Sequence, residues 1–99
     1  MNYSLRWTEE AKKSFNQNLE YLSDEWDNQI INNFLDRVDG ILSQIKSNPE
    51  IYSLHRKTHN IRKCVVHKRI ILYFKIVDNN NIDLLTFWNT YQDPDKLLM

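Results

Sequence analysis

Arg62, Lys63, Lys68 and Arg69, with His67, Tyr73 and Tyr91, are the residues of this chain best equipped for chemistry. Closely set cations can stabilise the charged, phosphorane-like transition state of phosphodiester cleavage, and an imidazole or phenol can move the proton of the attacking hydroxyl. Arg62, Lys63, Arg69, Tyr73 and Tyr91 are therefore the candidate catalytic residues. A plainer account stands beside this one. Arg62 alternates with Ile61 as half-exposed strand residues do, and Tyr73 lies in an apolar run where an aromatic is ordinarily core. His55 and His59, followed by Cys64 and His67, also offer zinc-type ligands. Three residues apart in an extended strand, however, Cys64 and His67 are expected to point to opposite faces. No metal and no cofactor are expected.

The formal net charge of zero conceals an asymmetry. Met1 to Glu50 carries a balance of −4, and Ile51 to Met99 a balance of +4. From Ile51 to Val77 there are Arg56, Lys57, Arg62, Lys63, Lys68, Arg69 and Lys75 and no acid. A one-signed local field attracts acidic partners even when total charge vanishes. Arg56, Lys57, Arg62, Lys63, His67, Lys68 and Arg69, with Tyr91 and Gln92 beyond them, form the expected target- or partner-binding set. Ordinary solvated strand and loop polarity would produce the same pattern. Tyr91-Gln92-Asp93-Pro94 reads equally as a functional rim or as a turn leading Leu97-Leu98-Met99 onto a sheet.

These residues need elements to position them. Tyr3, Leu5 and Trp7 alternate with polar neighbours, which predicts a half-buried first strand. Thr8 is placed to cap a helix, with Glu9 and Glu10 well set against its dipole. Ala11, Phe15, Leu19 and Leu22 recur at helical spacing to about Asp24. After a break near Glu25–Asn28, a wide stripe from Ile30/Ile31 to Ile45 predicts a second helix, stopped by Ser47-Asn48-Pro49. Gly40 inside it invites an explanation in close packing. The period then changes. A polar loop, Glu50 to Asn60, precedes Ile61–His67, Arg69–Val77 and Ile82–Trp88, which are rich in β-branched and aromatic residues. Asparagines in Asp78-Asn79-Asn80-Asn81 tolerate the left-handed backbone of a tight hairpin. Arg69–Val77, apolar on both sides, is expected at the sheet's centre. The expected class is α+β, ordered β-α-α-β-β-β, with a helix hairpin on one face of a small antiparallel sheet and the other face left for a tail or a partner.

Ninety-nine residues suit one domain spanning 1–99. No stretch approaches the roughly 20 apolar residues of a membrane span. The start MNYSLRW does not read as a signal peptide, and a single Cys64 allows no internal disulfide. A cytoplasmic location is expected, with no membrane partner.

This order and its motifs resemble the ParE/RelE family of toxins from bacterial type II toxin–antitoxin systems, also known as plasmid-stabilisation proteins. The opening Tyr3-x-Leu5-x-Trp7-Thr8-x-x-Ala11, the helix Phe15 to Trp26 and the closing Asn48-Pro49 are similar to the family's first half. Ile61-Arg62-Lys63-Cys64-Val65-Val66, Ile71-Leu72-Tyr73-Phe74-Lys75-Ile76 and the tail Phe87 to Leu97 are similar to its second. The resemblance implies a growth-inhibiting toxin, bound and neutralised by a cognate antitoxin in a heteromeric complex. It also implies one of two targets: DNA gyrase for ParE-type members, or mRNA on the ribosome for RelE-type endoribonucleases. Two departures bear on that choice. Tyr91 stands where the family's tail has arginine, and Ile70 where RelE-type enzymes carry a strand arginine, with Arg69 one step away. The RelE-type set is incomplete, which favours gyrase poisoning over an enzyme. A relic that only binds an antitoxin, or an unrelated small nucleic-acid-binding domain built on the basic strands, are the competing classes.

Overall fold

The computed structural model describes residues 2–25, 28–56, 60–92 and 97. Alternation at the N-terminus gives strand β1 (Ser4–Trp7), which directs Leu5 and Trp7 toward the core. Thr8 then caps helix α1 (Glu9–Glu25). Its Oγ1 accepts from the Ala11 N–H at 3.1 Å and donates to the Leu84 carbonyl at 2.7 Å. One hydroxyl thus satisfies an orphan helix amide and ties the helix start to the sheet. Helix α2 (Asn28–Ser47) buries Phe34, Val38 and Ile45. It stops where the sequence places proline, and a single 3-10 turn (Pro49–Ile51) follows.

Four further strands complete the sheet: β2 (Ser53–Arg56), β3 (Ile61–His67), β4 (Ile70–Ile76) and β5 (Asn81–Asn89). Their order is β1-β5-β4-β3-β2, so β4 is central, as its two apolar sides predict. The architecture is the expected helix pair on a sheet, with two differences. The stretch expected as a polar loop contains β2, which pairs antiparallel with β3 through Ser53↔Lys63 and Leu54↔Arg62. The sheet is also mixed, because β1 runs parallel to β5 from Ser4↔Asn81 to Trp7↔Leu84. These differences share a cause: β2 adds one reversal of the chain, and each added reversal flips the direction in which the last strand meets the first.

The hairpin at 78–81 uses side-chain chemistry. Asp78 Oδ1 accepts from the Asn80 N–H at 2.8 Å and from Asn81 Nδ2 at 3.0 Å, an Asx-type closure that needs no left-handed residue. Among the described non-glycine residues, only Asn60 has positive φ, at 53°. It leads into β3, and its side chain donates to the Ile76 carbonyl at 3.1 Å.

Phe87 is where the layers meet. Its ring stacks on Trp7 at 5.4 Å and meets Phe15 edge-on at 5.1 Å, while Phe15 stacks on Phe34 at 5.9 Å. Beside the rings lies a buried polar seam. Ser14 Oγ accepts from the Phe87 N–H at 2.9 Å, and Asn18 Nδ2 donates to the Phe87 carbonyl at 2.8 Å. Phe87 lies beyond Leu84, where the pairing of β1 with β5 ends, so its backbone groups on that side are met by side chains of α1 instead.

Gly40 has no packing reason. A Cβ built on it meets nothing within 4 Å. Gly40→Ala is expected to stabilise the protein by about 0.5–1 kcal/mol, because alanine loses less backbone entropy in a helix. That is a gain of a few degrees in melting temperature for a domain of this size. A calorimetric scan showing no gain would contradict it.

Candidate functional site

Because the helices cover one face of the sheet, the other presents three rows of side chains. Register pairs Val65 with Ile71 and Ile71 with Trp88, an apolar row across β3, β4 and β5. Val65 is 54% exposed and Ile71 and Trp88 are half-buried. The next row joins Lys63, Tyr73 and Thr86. Tyr73 is buried there, and the His55 ring meets it edge-on at 4.9 Å. Burial pushes its hydroxyl pKa up, so the phenol stays protonated. The third row is charged: Arg6 grips Asp83 through two bonds, at 2.9 and 2.6 Å, with Lys75 opposite.

A second cluster forms at the tip of the β3–β4 hairpin, where Lys68 and Arg69 make the turn. The Arg69 guanidinium lies 4.4 Å over the ring of Tyr91. The Thr90 N–H donates to the Arg69 carbonyl at 2.6 Å, and Tyr21 from α1 approaches Tyr91 at 6.4 Å. Tyr91 is 63% exposed. Arginine and tyrosine here form one flat cation–π platform open to solvent.

The third group lies on the helix side of the edge strands. Arg62 Nη1 donates to the Tyr52 carbonyl at 2.7 Å and to the Glu50 carbonyl at 3.3 Å. The Tyr52 hydroxyl donates to Gln44 Oε1 at 2.5 Å. Farther along β3, a cleft of about 360 Å³ opens between α2 and the hairpin tip, lined by Ile30, Asn33, Phe34, Arg37, His67 and Lys68. The His67 ring meets Phe34 edge-on at 6.0 Å.

The structure scatters the candidate catalytic residues rather than gathering them. Arg62 turns to the helix side, Lys63 and Tyr73 share the open face, and Arg69 and Tyr91 sit at the tip. Ile70 is fully buried in the core, so position 70 faces no open site. Among the expected partner-binding residues, Lys63, Lys68, Arg69, Tyr91 and Gln92 are exposed. The Arg56 side chain, Lys57, His59 and residues 93–96 lie outside the described residues, as does the expected path of the tail beyond them. The expectation that Cys64 and His67 diverge is overturned. Register slips between Val65 and His67, so Cys64 pairs with Leu72 and His67 with Ile70. Leu72 and Ile70 are core residues two apart in one strand, which puts both ligand-type side chains on the same face. The bulge supplies the extra half-turn that simple alternation lacks. Among the described residues, no three His, Cys, Asp or Glu side chains gather. Sequence reasoning also missed Arg37, Asn33 and Tyr21, which lie on helices far in sequence from the basic stretch. Only the position of Arg37 within the α2 stripe that faces β3 could have signalled it.

His67 predicts a pH dependence. Burial, then the charges of Lys68 and Arg37, hold its imidazole below the ordinary range. The unfolded chain takes up that proton more readily than the native state. The associated stability is fully present above the unfolded value of roughly 6.5, and it falls as pH drops from there toward the native midpoint. Urea midpoints are expected to decline over that window in the wild type and less in His67→Gln. Equal declines would refute the assignment. Asp78 is held low by bonds from Asn80 and Asn81, so its contribution is lost only at more acid pH.

No helix among the described residues is long and apolar enough to cross a membrane. A family model described as "ParE toxin of type II toxin-antitoxin system, parDE" matches residues 5–94. No curated protein matches. Among solved structures, the chain is similar to one from the chromosomal ParDE system of P. aeruginosa, at TM-score 0.71 and 10% identity over 88% of this chain and 95% of that one. It is also similar to a chain of the E. coli DinJ–YafQ complex, at TM-score 0.62 and 11% identity over 92% and 96%. A third likeness is to the YoeB dimer of Staphylococcus aureus, at TM-score 0.60 and 11% identity over 88% and 95%.

Proposed function

Given that the chain belongs to the ParE toxin family of type II toxin–antitoxin systems, we propose that it arrests growth by binding DNA gyrase and that a cognate antitoxin neutralises it. The observation that carries the choice of target is the dispersal of the candidate catalytic side chains. Phosphodiester cleavage needs cations and a proton carrier aimed at one reacting centre, and loss of one such donor costs roughly 10²–10³ in rate. Here Arg62 is committed to two backbone carbonyls, Ile70 is core, and Arg69 is stacked on Tyr91 at the tip. A toxin that acts by binding tolerates that arrangement, because its energy is spread over an interface with a few anchors. The Arg69–Tyr91 platform is the anchor best placed for a target. The apolar row Val65, Ile71 and Trp88 suits an antitoxin segment, with apolar contact giving affinity and the basic stretch steering association.

One observation favours ribosome-dependent RNA cleavage instead. His55, Tyr73 and Lys63 are neighbours on the open face and would supply a proton carrier, a phenol and a cation. One pair of assays separates the readings. Purified protein is expected to inhibit gyrase supercoiling and to leave mRNA intact in a translation reaction. Cleavage at ribosomal A-site codons would overturn the gyrase reading. Growth unaffected by induced expression would overturn toxicity and leave a protein that only binds an antitoxin.

A further inference from the structure

The cleft between α2 and the β3–β4 tip differs from the surfaces above in having cations on its walls and hydrocarbon on its floor. Arg37 enters from α2, Lys68 from the turn and His67 from the end of β3, while Ile30 and Phe34 lie beneath. No carboxylate lines it among the described residues, and neither Arg37 nor Lys68 takes part in an ion pair there. Cations gathered without a counter-charge repel one another and gain when an anion enters. Ile30 lies near the N-terminus of α2, so the positive end of that helix dipole adds to the same field. The bulge in β3 brings His67 to this side at all. A strand without it would turn the ring to the open face.

We propose that this cleft receives an aspartate or glutamate side chain from an antitoxin segment, with Arg37 and Lys68 as its charged donors, Asn33 as a neutral one and protonated His67 as a pH-dependent one. The partner's identity as an antitoxin rests on the toxin–antitoxin reading; the anion site does not. A peptide carboxylate suits the cleft better than a nucleic-acid backbone. Backbone tracking needs cations in a continuing stripe, whereas the floor here is Ile30 and Phe34, and the next cation, Arg69, is stacked on Tyr91. An apolar residue beside the acid would rest on that floor. Among the described residues, the groups that face His67 include Arg37 from α2, Lys68 from its own turn and the neutral Phe34 ring. Cys64 shares its face of β3 with a thiol that burial pushes up, so it adds no charge near neutral pH. Without an anion both cations oppose protonation of His67. A bound carboxylate reverses the balance, and binding then tightens as pH falls.

The test is NMR titration of His67 in the full chain, with acetylated, amidated Leu-Glu-Leu as probe, Leu-Gln-Leu as its neutral control and inorganic phosphate as a third ligand. A single clamped carboxylate is expected to bind with a dissociation constant of roughly 1 mM, so about 10 mM peptide approaches saturation. The glutamate peptide should raise the His67 midpoint and leave that of His55, on the opposite face, unmoved. Each unit of rise must appear as a tenfold gain in affinity between the basic and acidic limits. Arg37→Gln and Lys68→Gln, on exposed positions that leave the fold intact, should each weaken binding about five- to tenfold. A His67 midpoint unmoved by saturating glutamate peptide, or moved equally by the glutamine control, would overturn the site. A stronger response to phosphate than to the peptide would overturn the peptide class in favour of a phosphate ligand. Growth arrest is not a readout, so failure here would leave the toxin reading standing, and loss of that reading would not touch this result.

Discussion

Phe87→Ala is expected to cost about 3–5 kcal/mol, the largest loss from any single side chain described above. The ring joins Trp7 and Phe15 in one aromatic stack and is 1% exposed. Removing it empties the junction of β1, β5 and α1 and leaves rigid rings that cannot collapse into the space. A domain of this size has roughly 5–15 kcal/mol of stability in all, so the variant should be partly unfolded at 37 °C. Phe87→Leu keeps most of the volume and should cost under about 2 kcal/mol. Urea denaturation followed by tryptophan emission reports this directly, since Trp7 stacks on the ring. A loss below about 1.5 kcal/mol for the alanine variant would show that the stack is not the keystone of the core.

The second large effect concerns Arg62, and it separates structure from chemistry. Arg62→Met removes two charge-assisted bonds to the Tyr52 and Glu50 carbonyls and should cost about 1–3 kcal/mol. The figure belongs toward the lower end, because the buried Nε lacks a partner already. Arg62→Lys should recover only part of it, since a point charge cannot fork between two carbonyls as a guanidinium does. Toxicity should fall only as far as the folded fraction falls. Full-strength folding with activity lost in Arg62→Lys would instead mark Arg62 as a residue that touches the target.

How far the sequence reveals this molecule can be read from particular residues. Thr8 and Pro49 act locally, through a side-chain cap and a missing amide, so both helix boundaries they set were legible. The central place of β4 followed from residues apolar on both sides. Strand β2 was not legible: Ser53, Leu54, His55 and Arg56 have neither alternation nor β-branching, and only pairing with β3 makes them a strand. That omission also hid the parallel edge, since one missed reversal changes the predicted direction at β1. The bulge at Val66 was equally silent, because no residue type demands it, yet it decides which face His67 serves. Tyr91 was singled out as a departure, and Arg69 as the arginine one step from another, Ile70. The stacking of Arg69 on Tyr91 was not foreseeable, as it depends on the β3–β4 turn meeting the residues that follow β5.

The pairing of β1 with β5 has a consequence in time. Ser4 lies opposite Asn81, so the first strand leaves the ribosome long before the strand that holds it exists. At roughly 5–20 residues per second, the interval is about 4–15 s. During it the aromatic residues of β1 and α1 wait without Phe87, and the longest-range contact in the sheet must close last. The chain therefore acquires these surfaces only once β5 has been made. A partner already present at that moment would meet the toxin before any target does, and ribosome-stalled chains ending before residue 81 should remain protease-sensitive where the full chain resists.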